Sequence, residues 1–532
     1  MKKRWISLLI IPSMLIGCSS NGKLVFVPYT EYVKEQELMK DIDGAFYYSK
    51  DHTTPVVYRD GEINDLYTLY SLNKTGKTRK TVLTTGDRKI LVVPICFTDS
   101  DTHDNDENKN SKNIFIENAF FGATKMTEYD SVAGYYNKSS YGQLRITGEV
   151  TPWYDCGFSS SEWKIKLSSS HSDASNLLVA KAIDYLRTNN LVENINDYDT
   201  DSDGYVDAIY AIYDHPFDEN VDTSSSFFWA YSHYIPKGIN GLNNTAPFIN
   251  AYAWTSVNAI TDIGNKKDTK SYTNYLIHET GHLFGLYDYY NSGLYQPTGL
   301  FDMMDYNIGD HSAFSKYLLK WTSPYVLKNN KKMEATLKPF LTSGDYILVP
   351  SESYANSPFG EYLLLEFFVP EELNKNSEQF EYTANDGATY LYRYPNHYGL
   401  KIYHVNGALG YYEVSEIGNP KYLIGVDDLN SLDVIGSQNI SIDFIYNNNP
   451  TSSETRNGRP VLCHLLESSG ENSFKEGHPA SNETLFRVGD DFGITKFTDF
   501  TFSDGSKPNF KMKVLSISTK GIVLDIDTTV QE

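Results

Sequence analysis

The run His278-Glu279-Thr280-Gly281-His282-Leu283-Phe284-Gly285-Leu286-Tyr287-Asp288 constrains this chain more than any other segment. Tyr275, Leu276 and Ile277 before it, and Leu283 and Phe284 within it, give a helical pattern. On a helix, residues four apart share a face, so the imidazoles of His278 and His282 can meet at one ion. Glu279 follows the first histidine directly and can reach a water on that ion, which makes it the candidate general base. Gly285 can take a positive φ and end the helix. The chain then turns back and brings Asp288 toward the ion as third ligand. Three protein ligands with one position left open form a catalytic zinc site, whereas a structural zinc would draw on cysteines, and none is nearby. The other arrangement takes a Glu ligand from a later helix. Here the first Glu after His282 is Glu334, in a different sequence environment, which favours Asp288.

A second metal loop is expected at Asp199-Thr200-Asp201-Ser202-Asp203-Gly204-Tyr205-Val206-Asp207. Carboxylates at alternate positions, followed by Gly at a sharp turn, supply the converging oxygens that a hard cation needs. Asp199, Asp201, Asp203, Tyr205 and Asp207 are the candidate calcium ligands. The twelfth position is Tyr210 and not Glu, so the loop is not an EF-hand. Its expected role is to stiffen the domain.

With 532 residues the chain exceeds one ordinary core, so two or more domains are expected. A hydrophobic content of 40% against 21% charged residues reads as globular. The formal charge of −22 argues against a nucleic-acid partner, because an acidic surface repels phosphate. The 42 tyrosines suit half-buried sheets and select no activity.

The N-terminus carries a targeting pattern. Lys2, Lys3 and Arg4 precede an apolar run from Trp5 to Gly17 that is too short to span a bilayer comfortably and fits a signal peptide over residues 1–17. It ends in Leu15-Ile16-Gly17-Cys18, which resembles a bacterial lipobox. The resemblance implies that Cys18 is acylated and opens the mature chain, tethering it to the extracytoplasmic side of a bacterial membrane, at the cell surface or periplasmic face. Residues 18–85 read as a tether, a small N-terminal element or a prosegment. Of the remaining cysteines, Cys96, Cys156 and Cys463, an odd number rules out full intramolecular pairing, and a Cys96–Cys156 bridge stays open.

Residues 86–325 alternate strand and helix patterns: a buried strand at Ile90–Phe97, an acidic Asn-rich loop at Asp99–Asn113, a helix from Ser131 ending at Gly142, a strand at Leu144–Val150, a helix over 174–189, a strand at Tyr205–Tyr213 and the metal helix at Asn274–Leu283. Residues 326–532 show short alternating runs, ending in a hairpin about Ser518-Thr519-Lys520-Gly521, and are expected to form an all-β sandwich.

Downstream of the metal motif, Gly299-Leu300-Phe301-Asp302-Met303-Met304-Asp305-Tyr306 resembles the Met-turn of metzincin peptidases, with Met304 as the methionine beneath the zinc ligands and Met303 the alternative. Tyr306 stands where astacin and serralysin peptidases can place an oxyanion-binding tyrosine. His311 reads as an ordinary loop histidine, with a place beside the metal as the alternative. Taken with Ser131-Val132, Tyr135-Tyr136, Ser140-Tyr141-Gly142, Ser312–Lys316, Trp321, Gly399–His404 and Val488-Gly489-Asp490, these segments resemble the immune inhibitor A family of bacterial metallopeptidases over most of residues 86–526. Phe301 stands where that family usually has Trp, and Lys320 where it usually has Gly. The resemblance implies an α+β, metzincin-like zinc peptidase domain followed by the β-rich domain. It further implies a calcium-supported endopeptidase that hydrolyses extracellular protein or peptide substrates.

Overall fold

A computed structural model describes Leu24, the strand Phe46–Tyr48, residues 65–71 and residues 80–529, apart from 168–170, 218–227, 262–269, 292–294, 328–330, 353, 355–356, 376–378, 384–386, 388, 414–420, 425–439, 450–460 and 504. Residues 1–17, expected as a signal segment, and Cys18 lie outside the described residues. Among these residues no helix is long and apolar enough to cross a membrane.

Strand β1 (Gly86–Cys96) explains the layering of the first part. From Ile90 onward every residue is buried, so both faces of the strand must be covered. Leu91, Val93 and Ile95 point into one core, against Leu178, Ile183 and Leu186 of a helix at His171–Thr188. Ile90 and Val92 point into the other, with Ile116 and Phe120 of α1 (Asp106–Phe121), Val132 and Tyr136 of α2 (Val132–Ser139), and Leu276 and Ile277 of α3 (Asn274–Leu283). β1 runs parallel to β2 (Leu144–Val150), to the short β3 (Tyr154–Asp155) and to β4 (Ala208–Tyr213). Beyond β4 come a further parallel strand, β6 (Ala251–Ser256), and an antiparallel edge strand, β5 (Tyr231–Tyr234). Pro94 has no N–H to give, and it falls between Val92 and Ile95, where the neighbour of β1 changes from β2 to β3.

Two readings need correction. The Asn-rich stretch expected as a loop is half helix: Asn105 caps α1 by accepting from the Asn108 N–H at 3.1 Å, and Asp106 and Glu107 sit in its favourable first turn. Burial of Ile116, Ala119 and Phe120 outweighs the weak helix propensity of asparagine. The strand placed at Tyr205 starts at Ala208, because the acidic loop occupies the residues before it.

Gly148 in β2 is where the parallel sheet is tightest. A Cβ there would lie 1.9 Å from the carbonyl oxygen of Ile90 on β1. Gly148→Ala must therefore push the edge strand β2 away from its neighbour β1. We expect it to cost about 3 kcal/mol or more, read as a large fall in the thermal unfolding midpoint; a midpoint within a degree of wild type would contradict the packing.

The second part is rich in β-structure. A six-stranded sheet runs in the order Phe46–Tyr48, Tyr325–Leu327, Tyr346–Pro350, Glu361–Phe368, Gly399–Asn406, Cys463–Leu466. A four-stranded sheet contains the expected hairpin, Lys511–Ser518 with Gly521–Asp527, in which Ser518 pairs with Gly521. The part is not purely β, since helical turns form at Phe340–Ser343, Glu372–Asn374 and Ser473–Glu476. Both parts share one contiguous core, which runs from Leu66 to Ile526 and includes α3. A buried carboxylate links them: Glu366 of the second part accepts from the Ala313 N–H of the first at 2.7 Å, and the fully buried Lys316 on the same helix pairs with Asp310 at 2.5 Å. Lys320 adopts a positive φ of 60° and pairs through its ammonium with Asp65, so the turn has the conformation a Gly would take.

Candidate metal centre

Helix α3 is fixed from behind by two buried tyrosines. Tyr136 donates to the Ile277 carbonyl at 2.8 Å, and Tyr210 donates to the Leu276 carbonyl at 2.5 Å. Its C-terminus closes as a Schellman turn: Leu286 N–H to the Gly281 carbonyl and Gly285 N–H to the His282 carbonyl, both 3.0 Å, with Gly285 at φ 93°. A Cβ on Gly285 would also lie 2.8 Å from the Tyr70 ring, so glycine serves both the turn and the packing.

That turn delivers Asp288 to the two histidines. Its Oδ1 lies 3.1 Å from His278 Nε2 and 3.1 Å from His282 Nε2. Ligand atoms around one tetrahedral ion, with bonds of ~2.0–2.1 Å, stand about 3.3 Å apart, so the three atoms are spaced as a zinc tripod requires. The far sides of both rings are also committed. His278 Nδ1 lies 2.9 Å from the Met303 carbonyl and His282 Nδ1 2.8 Å from the Leu286 carbonyl. A carbonyl can only accept, so each Nδ1 carries the proton and each Nε2 presents its lone pair to the common point. Glu279 is buried beside them, and its carboxylate lies within 4.8 Å of the ligand atoms of both histidines.

The electrostatics describe the same point. Burial opposes charge on Asp288, yet His282 and His278 outweigh it and hold its carboxyl far below the usual range. Burial likewise opposes protonation of His278, yet the hydrogen bond and charge of Asp288 push it up to about 9.

A short helix, α4 (Met303–Tyr306), lies beneath these ligands. The Met303 carbonyl takes the His278 ring, the Met304 carbonyl accepts from the Tyr289 N–H at 2.7 Å, and a Cβ on Gly281 would meet the Met304 sulfur at 2.5 Å. The methionine therefore rests against the helix at the one residue between the histidines that leaves room for it. Asp302 caps α4 by accepting from the Met304 N–H at 2.8 Å. Burial pushes the Asp302 carboxyl up to about 7. Its folded value exceeds that of an unfolded Asp, so its contribution to stability is complete below about pH 4 and is lost as pH rises through about 7. Asp302→Asn keeps the capping oxygen without the charge. Relative to wild type it should gain stability between pH 4 and 8, by an amount on the order of a few kcal/mol; parallel pH profiles in thermal unfolding would contradict this.

The other candidates fall as follows. Tyr306 ends α4 with 38% exposure, its ring 6.3 Å from that of Tyr392. Tyr290, which the sequence did not single out, stacks on His278 with centroids 6.3 Å apart. Burial and then the Asp288 carboxylate, to which it hydrogen-bonds, raise its phenol well above the usual range. No spacing rule points to Tyr290, because the fold of the ligand loop places it. His311 is not a loop histidine at the surface: it is buried against Tyr135, Tyr136 and Trp321, and burial keeps it neutral. Phe301 is buried against Phe368 and Tyr394, under the Lys401 ammonium.

In the acidic loop the carboxylates of Asp199, Asp201 and Asp203 lie within 4.8 Å of one another. Backbone N–H groups of Gly204, Asp203 and Tyr205 hold one oxygen of each, at 3.1, 3.1 and 2.8 Å, while Asp199 Oδ1 is buried without a hydrogen-bond partner. Asp207 departs from the expected set, because its carboxylate is taken by the Thr200 N–H and hydroxyl. The Tyr205 ring packs under Lys80 and Lys237, leaving only its carbonyl as a donor. The described residues thus hold two of the expected groups that could bind a metal ion, one with nitrogen and oxygen donors and one with oxygen donors alone. Searches against protein-family models and against curated proteins find no match to this chain.

Proposed function

We propose that the chain is a zinc-dependent endopeptidase. The observation that carries this reading is the meeting of His278 Nε2, His282 Nε2 and Asp288 Oδ1 at one point beside Glu279, with both Nδ1 atoms already committed to carbonyls. A zinc ion held there would supply a Lewis acid that acidifies water and polarises a peptide carbonyl. Glu279 takes the proton of the attacking water and passes it to the leaving amine nitrogen, so that the carboxylate is regenerated. Tyr290 and Tyr306 are the phenols on hand to steady charge on the carbonyl oxygen. Edge strand β5 lies beside α3 and gives an extended substrate a place to add as a further strand. Asp199, Asp201 and Asp203 would hold calcium, which suits an oxygen-only cluster. With the lipobox at Cys18, the enzyme would act on extracytoplasmic proteins from a membrane anchor. Likeness to the immune inhibitor A peptidases and a metzincin-type catalytic domain belong to the same proposal.

The test is cleavage of casein by the mature chain. Activity should disappear with a chelator and return with zinc. A zinc-loaded protein that leaves unfolded substrates intact would overturn the proposal.

A further inference from the structure

A second group of unlike ligands lies at the C-terminal ends of β1 and β3. Cys96 Sγ, a His103 ring nitrogen and an Asp155 carboxylate oxygen lie within 4.8 Å of one another. The strand register explains how they meet. Cys96 is paired directly with Asp155 across β1 and β3, so their side chains leave the same face of the sheet. Cys156, one residue on, points to the opposite face and packs with Leu91, Val93 and Ile95. The Cys96–Cys156 bridge left open by the sequence is therefore excluded, and both thiols are free.

His103 comes from the loop between β1 and α1, and that loop is held in place. Ser100 donates to the Asp214 carbonyl at 2.6 Å, Thr102 donates to the Asp214 carboxylate at 2.5 Å, and Lys112 bonds the same carboxylate at 2.6 Å. His103 Nδ1 then lies 2.8 Å from Asp155 Oδ2, yet it is buried and makes no hydrogen bond in a direction an N–H could use. Its Nε2 faces the Asp104 carboxylate at 3.4 Å. A proton on Nε2 satisfies Asp104 and leaves a lone pair on Nδ1 against a carboxylate oxygen. Two acceptors so close, with a thiol beneath them, call for a cation. Asp155 Oδ1 is already fixed by the Gly157 N–H at 2.8 Å, so Oδ2 is the oxygen left to bind.

We propose that Cys96, His103 and Asp155 form a second transition-metal site, for zinc or a similar divalent ion, separate from the His278–His282–Asp288 centre. A thiolate, an imidazole and a carboxylate suit a borderline-soft ion and not calcium or magnesium. Ligand atoms around such an ion stand roughly 3.3–3.8 Å apart, so the group must close by about 1 Å or less. His103 and Asp155 have room to do so, with side-chain exposures of 26% and 41%, and they form the entrance above the fully buried Cys96. Binding exchanges the Cys96 thiol proton for the metal, and the proton leaves to solvent. The site would tie the β1–α1 loop to β3.

Cobalt(II) titration of the reduced mature chain separates the two centres, because only this one offers sulfur. Wild type and Cys156→Ser should both show a near-ultraviolet thiolate-to-cobalt band that saturates at one ion per chain. Cys96→Ser should lose the band and keep the visible bands of the histidine centre. His103→Ala, at a side chain that is 26% exposed, should weaken cobalt binding at the band about tenfold or more. Absence of the band in reduced wild type, or a band that survives in both Cys96→Ser and His103→Ala, would overturn the proposal. The readout is independent of proteolysis, so an inactive protein with the band would count against the peptidase reading alone.

Discussion

Glu279→Gln should leave zinc bound and nearly abolish casein cleavage, with kcat/KM lower by about 10³-fold. Glutamine fills the same buried volume and cannot accept the proton of the attacking water. His278, His282 and Asp288 keep their positions, because they are held by the carbonyls of Met303 and Leu286 and by the turn at Gly285, none of which involves Glu279. The loss should therefore fall on kcat, with KM and metal content near wild type. The decisive comparison is metal analysis and kinetics on the same preparation. A variant with full zinc and a rate within tenfold of wild type would show that another group moves the proton.

Asp288→Asn tests the third ligand. The amide is nearly isosteric, but it brings no negative charge to two imidazoles and binds zinc poorly. We expect zinc affinity to fall by more than about 100-fold, and activity to vanish at trace zinc and recover in part when zinc is in large excess. Equilibrium dialysis against a competing chelator measures the first effect and casein cleavage the second. Unchanged affinity would mean that Asp288 serves only as a turn carboxylate.

The sequence was most informative where a local rule determines geometry. The i, i+4 histidines, the glycine that ends the helix and the strand at Leu144–Val150 needed only periodicity and backbone preferences, and the helix Asn274–Leu283 is where its pattern put it. It was least informative where distant parts of the chain cooperate. The loop bearing Asp288 is fastened by the second part: Tyr287 donates to Asp443 at 2.5 Å, and Asn448 donates to the Tyr289 carbonyl at 2.9 Å. Spacing does not reveal either contact. Tyr290 was missed for the same reason. Asp207 fitted the alternating pattern but was captured by Thr200, a competition among neighbours that a one-dimensional pattern does not weigh. The α1 helix was hidden because its asparagines read as loop until burial of Phe120 is counted.

Residues 65–71 lie where a removable leader would be expected, yet they are built into the folded body. Leu66, Leu69 and Tyr70 are buried in the main core, Tyr70 lies where a side chain at Gly285 would project, and Tyr67 donates to Asp201 in the acidic loop at 2.7 Å. One short helix thus lies against both the acidic loop and the turn at Gly285 that leads to Asp288. Maturation by cleavage leaves the described fold whole only upstream of Phe46, whose strand pairs with Tyr325–Leu327. A cut after Ser71 would take away the piece that keeps the two loops in register, and a protease that trims this protein at that point would be disposing of it, not switching it on.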